Sequence, residues 1–352
     1  MFLLLRLAVN IRNKGVGEMH KKWIGLFVCA FFLLALSACG EKSQQDVTDA
    51  LDAKVQEMAG YKSDAKMTLN TGKDAQVYDV EIWHSKPMYY RVNLKNTKKD
   101  QSQMILRNDE GVFVLTPALN KSFRFQSDWP QNSSQAYLYE SLVQDIVKDE
   151  KASFKSTDKH YIFETKTNYQ NSTMLPKQEI TLNKSDLAPV SVKIMDTDNK
   201  VLIKVDFSKV KFDSKFDKGA FDTKRNMTSA KIDVPTLAQQ KSFSVLYPKD
   251  VPKGTKLSKE KKIETENGER VVLMYKGEKP FTLVQEKAQV AKTATSTVTA
   301  GEPFDLGFTV GALTDKSLSW TYNGVDFMLA SDQLTPDELS TVARSVQSQM
   351  GK

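Results

Sequence analysis

The residue with the most specific chemistry in this chain is Cys39, which follows Leu36, Ser37 and Ala38. This spacing matches the bacterial lipobox, in which the cysteine thiol receives a diacylglyceryl group. Cleavage between Ala38 and Cys39 then makes the cysteine the new N-terminus. Two acyl chains anchor a protein stably, whereas one holds it only marginally. We therefore predict a lipidated, palmitate-carrying Cys39; an ordinary signal peptide with an incidental cysteine is the alternative.

The residues before the cysteine have the composition of a secretory signal. Lys21 and Lys22 precede an apolar run at 24–38, which is shorter than the roughly 20 residues that a membrane-spanning helix needs. We predict a signal peptide over residues 1–38. The string from Lys14 to Met19 would be encoded by purine-rich codons typical of a ribosome-binding site, so we expect the native chain to begin at Met19.

Charge and cysteine content exclude several functions. The net charge is +7, and residues 1–38 hold +4 of it, which leaves +3 for residues 39–352. This near balance gives no electrostatic reason to expect nucleic acid as a partner. The two cysteines are Cys29, in the predicted signal, and Cys39, so the processed chain has no thiol for a disulfide, a zinc site or catalysis.

Other candidate chemistry is weak. The chain has no G-x-S-x-G turn, phosphate-binding glycine loop or H-E-x-x-H motif. His84 and His160 are better explained as polar strand residues than as a metal pair. Asp196, Asp198 and Asn199 lack the spacing and the closing Glu of a calcium loop, which favours a solvated turn. We expect no catalytic residue, cofactor or metal.

Apolar periodicity predicts an α+β fold. Helical spacing appears at 45–59 and again at 139–147, where Asn132, Ser133 and Ser134 offer N-caps. Alternating strands with turns between them indicate an antiparallel meander. The predicted strands are 76–83, 89–95, 103–107, 112–116, 122–125, 161–167, 178–183, 190–195 and 201–207.

The remainder of the chain predicts a second, smaller α+β unit. Asn267-Gly268 and Asn323-Gly324 each join two strand-like runs, a strong hairpin signal. Thr335 and Glu338 form a capping box that starts a final helix. We expect residues 291–301, rich in Thr and Ala, to be a flexible loop.

The first unit resembles the LolA-like sporulation lipoproteins of endospore-forming bacilli, a group of the lipoprotein carrier superfamily. The resemblance covers roughly residues 41–230 and is carried by residues 90–108 (YRVNLKNTKKDQSQMILRN), 111–117 (GVFVLTP) and 123–130 (FRFQSDWP). It implies a curved antiparallel half-barrel covered by helices, with a cavity for acyl chains. Carriers shuttle between membranes, whereas this chain carries a predicted anchor.

These observations predict how the chain is divided into segments and domains. We predict a signal peptide at 1–38, a lipidated tether at 39–46, a LolA-like domain at 47–230, a linker at 231–241 and a small α+β domain at 242–352. Six strand residues are candidates to line an apolar cavity on the side that the helices cover, and a packed core is the alternative. They are Tyr90, Met104, Phe113, Leu115, Phe123 and Phe125.

The expected function is a non-enzymatic lipoprotein on the outer face of the bacterial cytoplasmic membrane. It would bind or present a lipid, an apolar ligand or another lipoprotein, and the resemblance adds a role in sporulation. The alternative is an envelope module that binds a protein partner or senses a signal, because LolA-like domains also occur in anti-sigma-factor regulators. An enzyme acting on envelope polymer is the third hypothesis.

Replacing the cysteine tests the anchor. We expect Cys39→Ser to abolish labelling with radioactive palmitate and to leave an unprocessed precursor on an immunoblot, because the acceptor thiol is lost. The matched control is Cys29→Ser, which should be labelled and processed normally. Labelling of the Cys39→Ser chain at the wild-type level would exclude the lipobox.

Overall fold

The computed structural model describes residues 41–70, 75–98, 102–130, 135–169, 175–232, 244–266, 268–291, 293 and 295–347. The predicted signal peptide and Cys39 lie outside these residues. The chain divides into a unit that ends at Val47 and a unit Thr48–Lys352. Within the described residues, no helix is both long and apolar enough to cross a membrane.

The fold is α+β, as predicted, with two open, curved sheets. The larger has twelve strands in the order β15-β6-β5-β4-β3-β2-β1-β11-β10-β9-β8-β7. Its strands are β1 (Gly60–Leu69), β2 (Gln76–Ser85), β3 (Tyr89–Asn96), β4 (Ser102–Asn108), β5 (Gly111–Thr116), β6 (Lys121–Phe125), β7 (Ser153–Ser156), β8 (His160–Lys166), β9 (Lys177–Asn183), β10 (Pro189–Met195), β11 (Val201–Phe212) and β15 (Thr295–Thr299).

The small sheet has seven strands in the order β12-β13-β14-β19-β18-β17-β16. The predicted hairpins join β12 to β13 and β18 to β19, and Asn323 and Gly324 both have the positive φ that such a turn requires. Its strands are β12 (Thr255–Thr265), β13 (Gly268–Gly277), β14 (Phe281–Lys287), β16 (Glu302–Asp305), β17 (Val310–Leu313), β18 (Ser317–Tyr322) and β19 (Val325–Ala330).

Four α-helices are described: α1 (Gln44–Glu57), α2 (Tyr139–Lys148), α3 (Thr223–Ile232) and α4 (Pro336–Gln347). The predicted capping box of α4 is present, since the Thr335 N–H donates to Glu338 at 3.0 Å and the Glu338 N–H donates to the Thr335 hydroxyl at 3.3 Å. Its apolar side, with Leu339 and Val342, is buried against β18 and β19.

The start of α2 differs from the prediction. Its N-cap residue is Leu138, whose side chain makes no capping hydrogen bond. The free N–H of Tyr139 instead donates to the hydroxyl of Tyr61 on β1, at 3.1 Å. A side chain from the sheet therefore accepts a hydrogen bond from the first turn of the helix, the role that a Ser or Asn N-cap has at many helix starts.

Helix α3 was not expected from the sequence. Asp222 caps it, because its carboxylate accepts from the Arg225 N–H at 2.6 Å. The predicted linker 231–241 begins inside this helix, and residues 233–241 lie outside the described part of the chain. The boundaries of the two predicted domains stay predictions.

The expected flexible loop at 291–301 contains a strand. Residues 295–299 form β15, which pairs in parallel with β6 from Thr295 opposite Lys121 to Thr299 opposite Phe125. Its Thr-Ser-Thr-Val-Thr sequence has the β-branched character that suits a strand. The C-terminal half therefore completes one edge of the large sheet, which makes this pair the parallel exception in a meander predicted to be antiparallel.

The two faces of the large sheet are both covered near β4. We call the face with Tyr90, Val92 and Ile105 the inner face, and the face with Leu106 and Phe113 the outer face; the pairing register places each set together. All five side chains are at least 93% buried. Strand β4 is therefore apolar at successive positions rather than at alternate ones.

A glutamine side chain joins the two sheets. The carbonyl oxygen of Gln103 on β4 accepts from the Val310 N–H at 2.7 Å and from the Thr309 hydroxyl at 2.9 Å. Val310 begins β17 and Thr309 immediately precedes it, and both residues are buried. Loss of the amide would leave a buried backbone N–H without its acceptor.

Truncating this glutamine should weaken the whole fold. We expect Gln103→Ala to lower the free energy of unfolding by about 1–3 kcal/mol, the usual cost of an unsatisfied buried donor. Gln56→Ala is the control, because Gln56 is exposed and, among the residues that the structure describes, its side chain bonds only Asp52; its effect should stay within about 0.5 kcal/mol. Urea unfolding followed by circular dichroism measures both, and equal effects would contradict the role of Gln103.

Candidate functional site

The six candidate lining residues do not share a face. Tyr90, Phe123 and Phe125 lie on the inner face of the large sheet, because each pairs across a strand with another inner-face residue. A second group of three lies on the outer face: Met104, Phe113 and Leu115. The expectation of one common apolar side was wrong, because β4 and β5 are apolar on both sides.

The outer-face group belongs to a closed cluster. Met104, Phe113 and Leu115 pack with Phe221 and with Met227 of α3. Arg124 lies over the Phe113 ring at 5.8 Å from its centroid. Met104 and Leu115 are 1% and 0% exposed. For these three residues the structure shows close packing under a helix that the sequence did not reveal.

Two of the three inner-face residues border a cavity between the two sheets; the third, Tyr90, packs instead against His84 and Trp129. Phe123 and Phe125 line the cavity from the large sheet, together with Val114. Trp320 and Phe327 line it from the small sheet, with their rings stacked at 5.0 Å between centroids. Its volume is about 200 Å³, below the range of roughly 300–1,000 Å³ that holds drug-sized ligands. It has room for one short apolar group.

The cavity has polar groups at its margin. Lys121 on β6 lies 3.5 Å from the Asp326 carboxylate on β19, and both side chains are partly exposed. Gln103 also borders the cavity, with its amide oxygen already used by β17. An apolar interior with a few fixed polar groups is the usual composition of a ligand site.

A second cavity of about 50 Å³ lies nearby between the same two sheets. It is bordered by Tyr78, Asn96, Thr116 and Tyr322. The hydroxyl of Tyr78 donates to the Phe308 carbonyl at 3.1 Å, and that of Tyr322 donates to the Gln76 side chain at 3.1 Å. The two phenols are thereby hydrogen-bonded, while the buried Thr116 hydroxyl has no hydrogen-bond partner among the described residues. A space of this size beside such a hydroxyl suits a water molecule better than an apolar ligand.

The remaining polar cluster of note connects α2 to the large sheet. Glu140 faces His84 Nε2 at 2.9 Å, and its other oxygen accepts from the Tyr61 hydroxyl at 3.2 Å. His84 Nδ1 lies 3.1 Å from the Tyr89 carbonyl, which can only accept, so Nδ1 carries hydrogen.

This cluster is buried and aromatic. The His84 ring stacks on Tyr90 at 4.3 Å, and the His84 and Glu140 side chains are only 3% and 13% exposed. Burial, with the nearby Glu140 carboxylate, raises the pKa of Tyr61 well above its usual value and raises that of Tyr90 as well. Both phenols therefore stay neutral at ordinary pH, and the Tyr61 hydroxyl donates to Glu140.

The other sequence candidates are occupied by backbone contacts. His160 starts β8 as an ordinary strand residue, partly exposed. The Asp196 carboxylate accepts from the Asp198 and Lys200 N–H groups at 2.9 Å each, which fixes the turn. The described residues hold no group of three or more His, Cys, Asp or Glu that could bind a metal ion.

The sequence comparisons place residues 20–221 within the model of the family described as Sporulation protein YdcC-like. A curated relative is the Sporulation protein YdcC of Bacillus subtilis (strain 168). It is 56% identical over 336 residues, which cover 95% of this chain and 99% of the relative. These matches confirm the sporulation family expected from the sequence.

Solved structures resemble the chain only loosely. The MucA/MucB complex of Pseudomonas aeruginosa contains a chain with a TM-score of 0.32 and 13% identity, covering 86% of this chain and 97% of that one. A LolA superfamily protein from Nitrosomonas europaea has a TM-score of 0.30 and 12% identity, covering 53% and 100% respectively.

Removing the buried carboxylate should be costly. We expect Glu140→Ala to reduce the free energy of unfolding by about 3 kcal/mol, since it leaves the buried imidazole and the Tyr61 hydroxyl without their partner. Glu150→Ala, at an exposed position just after the same helix, should change it by less than about 0.5 kcal/mol. Thermal unfolding of both variants decides the matter; a loss below 1 kcal/mol for Glu140→Ala would mean that water replaces the carboxylate.

Proposed function

This chain belongs to the YdcC-like family of sporulation proteins, and we propose that it is a non-enzymatic lipoprotein that binds one apolar group between its two sheets. The group would be an acyl chain of a lipid or of another lipoprotein. The protein would act at the outer face of the bacterial cytoplasmic membrane, held there by a diacylglyceryl group on Cys39.

The observation that carries the binding proposal is the cavity of about 200 Å³ between the sheets. Phe123 is partly exposed although it is a large apolar side chain on the inner face. Phe125 beside it is only 3% exposed. An aromatic side chain that borders open space rather than packed neighbours can contact a ligand without displacing the core. The limited volume favours a single chain over the several chains of a whole lipid.

The anchoring part of the proposal rests on the sequence around Cys39. The apolar run, the small residues before the cysteine and the polar residues after it agree with one another. Two acyl chains would keep the protein at the bilayer. A tethered protein of this kind would present an apolar group locally rather than carry it between membranes.

A second candidate function is an envelope module that binds a protein partner, with the inner face serving only as core. It is favoured by the dense filling of that face away from the cavity. Tyr61, Trp129, Tyr137, Tyr139 and Phe163 are each no more than 2% exposed. Side chains packed to this degree leave no room for an acyl chain under α2.

Fatty-acid binding separates the two functions. We expect dodecanoic acid to change the fluorescence of Trp320, which lines the cavity, and the change should be absent from Trp320→Phe. Phe123→Asp should weaken binding at least tenfold, because a carboxylate in the cavity repels an apolar chain. Phe123→Leu and Phe113→Leu form a matched pair: the first should weaken binding, and the second, on the outer face, should leave it unchanged.

Two outcomes would count against ligand binding in the cavity. No fluorescence change up to the solubility limit of dodecanoic acid, with the wild-type chain fully folded, would reject the cavity as a ligand site and favour the protein-binding module. If Phe123→Asp instead lowers stability by several kcal/mol, the position is packed core, since an unpaired buried charge has that cost.

A further inference from the structure

The open face of the small sheet, on the side away from α4, has an unusual charge distribution. The register of β12, β13, β14 and β19 places a set of side chains together on it, which we call the cationic face. It comprises Lys256, Lys259, Lys261, Ile263, Val272, Met274, Lys276, Val284 and Met328. The same register places Arg270, Glu286 and Asp326 beside them.

Its four lysines are free of counter-charges. Lys256 lies opposite Lys276 across the hairpin, and all four lysine side chains are exposed. Within the described residues, none of the four makes an ion pair or a hydrogen bond. Arg270, on the same face, is paired with Glu286 at 2.7 Å.

The acidic residues of the same hairpin point the other way. Glu260, Glu264 and Glu269 alternate with the cationic positions, so they lie on the opposite side of the strands. Glu260 accepts from the Tyr247 hydroxyl at 2.7 Å and Glu269 lies 3.4 Å from Lys262, both on that opposite side. One face of the β12–β13 hairpin therefore carries both acidic and basic side chains, and the other face carries only basic ones.

Exposed apolar side chains lie among the lysines. Ile263, Met274 and Met328 are 40%, 38% and 48% exposed. Val272 pairs with Val284, which pairs with Met328, so these three form a row across three strands. Val272 and Val284 are half-buried. Single exposed apolar residues are ordinary, but three exposed ones on the same face as four unpaired lysines are not explained by solubility. Lysines on an edge strand discourage strand pairing, which accounts for β12 but not for Met274, Lys276 or Met328.

We propose that the cationic face binds the surface of an anionic lipid bilayer. Lysine ammonium groups meet lipid phosphates, while Ile263, Met274 and Met328 enter the boundary between headgroups and acyl chains. A second copy of the chain is disfavoured on this face, because four unpaired lysines on each copy would repel. The inference rests on the proposed function only for bringing the chain to a bilayer; it adds which side of the molecule meets the membrane.

Methionine oxidation tests the contact on the full chain. The protein is reconstituted in nanodiscs of phosphatidylcholine alone or with phosphatidylglycerol, treated with hydrogen peroxide and analysed by peptide mass spectrometry. Both discs hold the chain through its N-terminal segment, so any difference between them reports the cationic face. We expect Met274 and Met328 to oxidise at least fivefold more slowly on anionic discs. Met88, 36% exposed in the turn between β2 and β3, should be unaffected.

Two charge-matched variants complete the experiment. The quadruple change Lys256→Gln, Lys259→Gln, Lys261→Gln and Lys276→Gln should abolish the protection. The control changes four exposed lysines elsewhere, Lys151→Gln, Lys155→Gln, Lys215→Gln and Lys218→Gln, and should retain it. Protection should also fall as salt is raised, because headgroup attraction is screened.

Several results would overturn the proposal. Equal oxidation on the two discs would exclude a charge-dependent membrane contact. Protection by soluble polyphosphate without lipid would indicate a polyanion site instead, and protection that grows with protein concentration without lipid would indicate self-association. The mass of the N-terminal peptide, read in the same spectra, reports lipidation of Cys39 separately. The proposed lipid anchor and the proposed membrane contact of the cationic face can therefore be rejected independently of each other.

Discussion

The need to cover the inner face of the large sheet is the constraint on which the rest of the molecule depends. Buried apolar area is worth about 25 cal/mol per Å², so a long curved sheet is stable only if that face is shielded from water. Helix α2 covers the part near β8. The segment between β16 and β17 covers another part: the Phe308 carbonyl accepts from Tyr78, and Gly307, at φ +87°, lies against Leu69. The C-terminal half therefore supplies core to the large sheet.

Much of this fold follows from short-range pattern. Alternation predicted β2, and the turn between residues 103–107 and 112–116 predicted the β4–β5 hairpin. Asn-Gly predicted the β12–β13 and β18–β19 turns, and the Thr335–Glu338 capping box predicted α4. Each of these signals depends on neighbouring residues. Three features depended on residues that are distant in sequence. Strand β15 required the open edge of β6, and the start of α2 is capped by Tyr61 on β1. Helix α3 packs on Met104, Phe113 and Leu115, and Asp222 was its only local signal.

The candidate site shows the same limit. The sequence marked Phe123 and Phe125, which border the cavity, but it could not exclude Met104, Phe113 and Leu115. In a strand that is apolar on both faces, apolar and polar residues do not alternate. The sequence therefore does not show which residues lie on the inner face. The other half of the cavity, Trp320 and Phe327, lies some two hundred residues away from Phe123, and only the contact between the sheets brings the two halves together. The link between His84 and Glu140 was likewise invisible, since nothing local relates a strand histidine to the first turn of a later helix.

The parallel pairing of β15 with β6 has a consequence for the order of synthesis. Ser122 and Thr295, joined by a hydrogen bond, are separated by 173 residues. At roughly 5–20 residues per second, β6 is completed on the order of 10–30 s before its neighbour exists. Until β15 pairs with β6, the sheet ends in an unpaired edge, the kind of surface on which strands of other chains add. Lys121 and Arg124 place a charge near each end of this five-residue strand. These charges discourage the addition of strands from other chains until β15 pairs with β6.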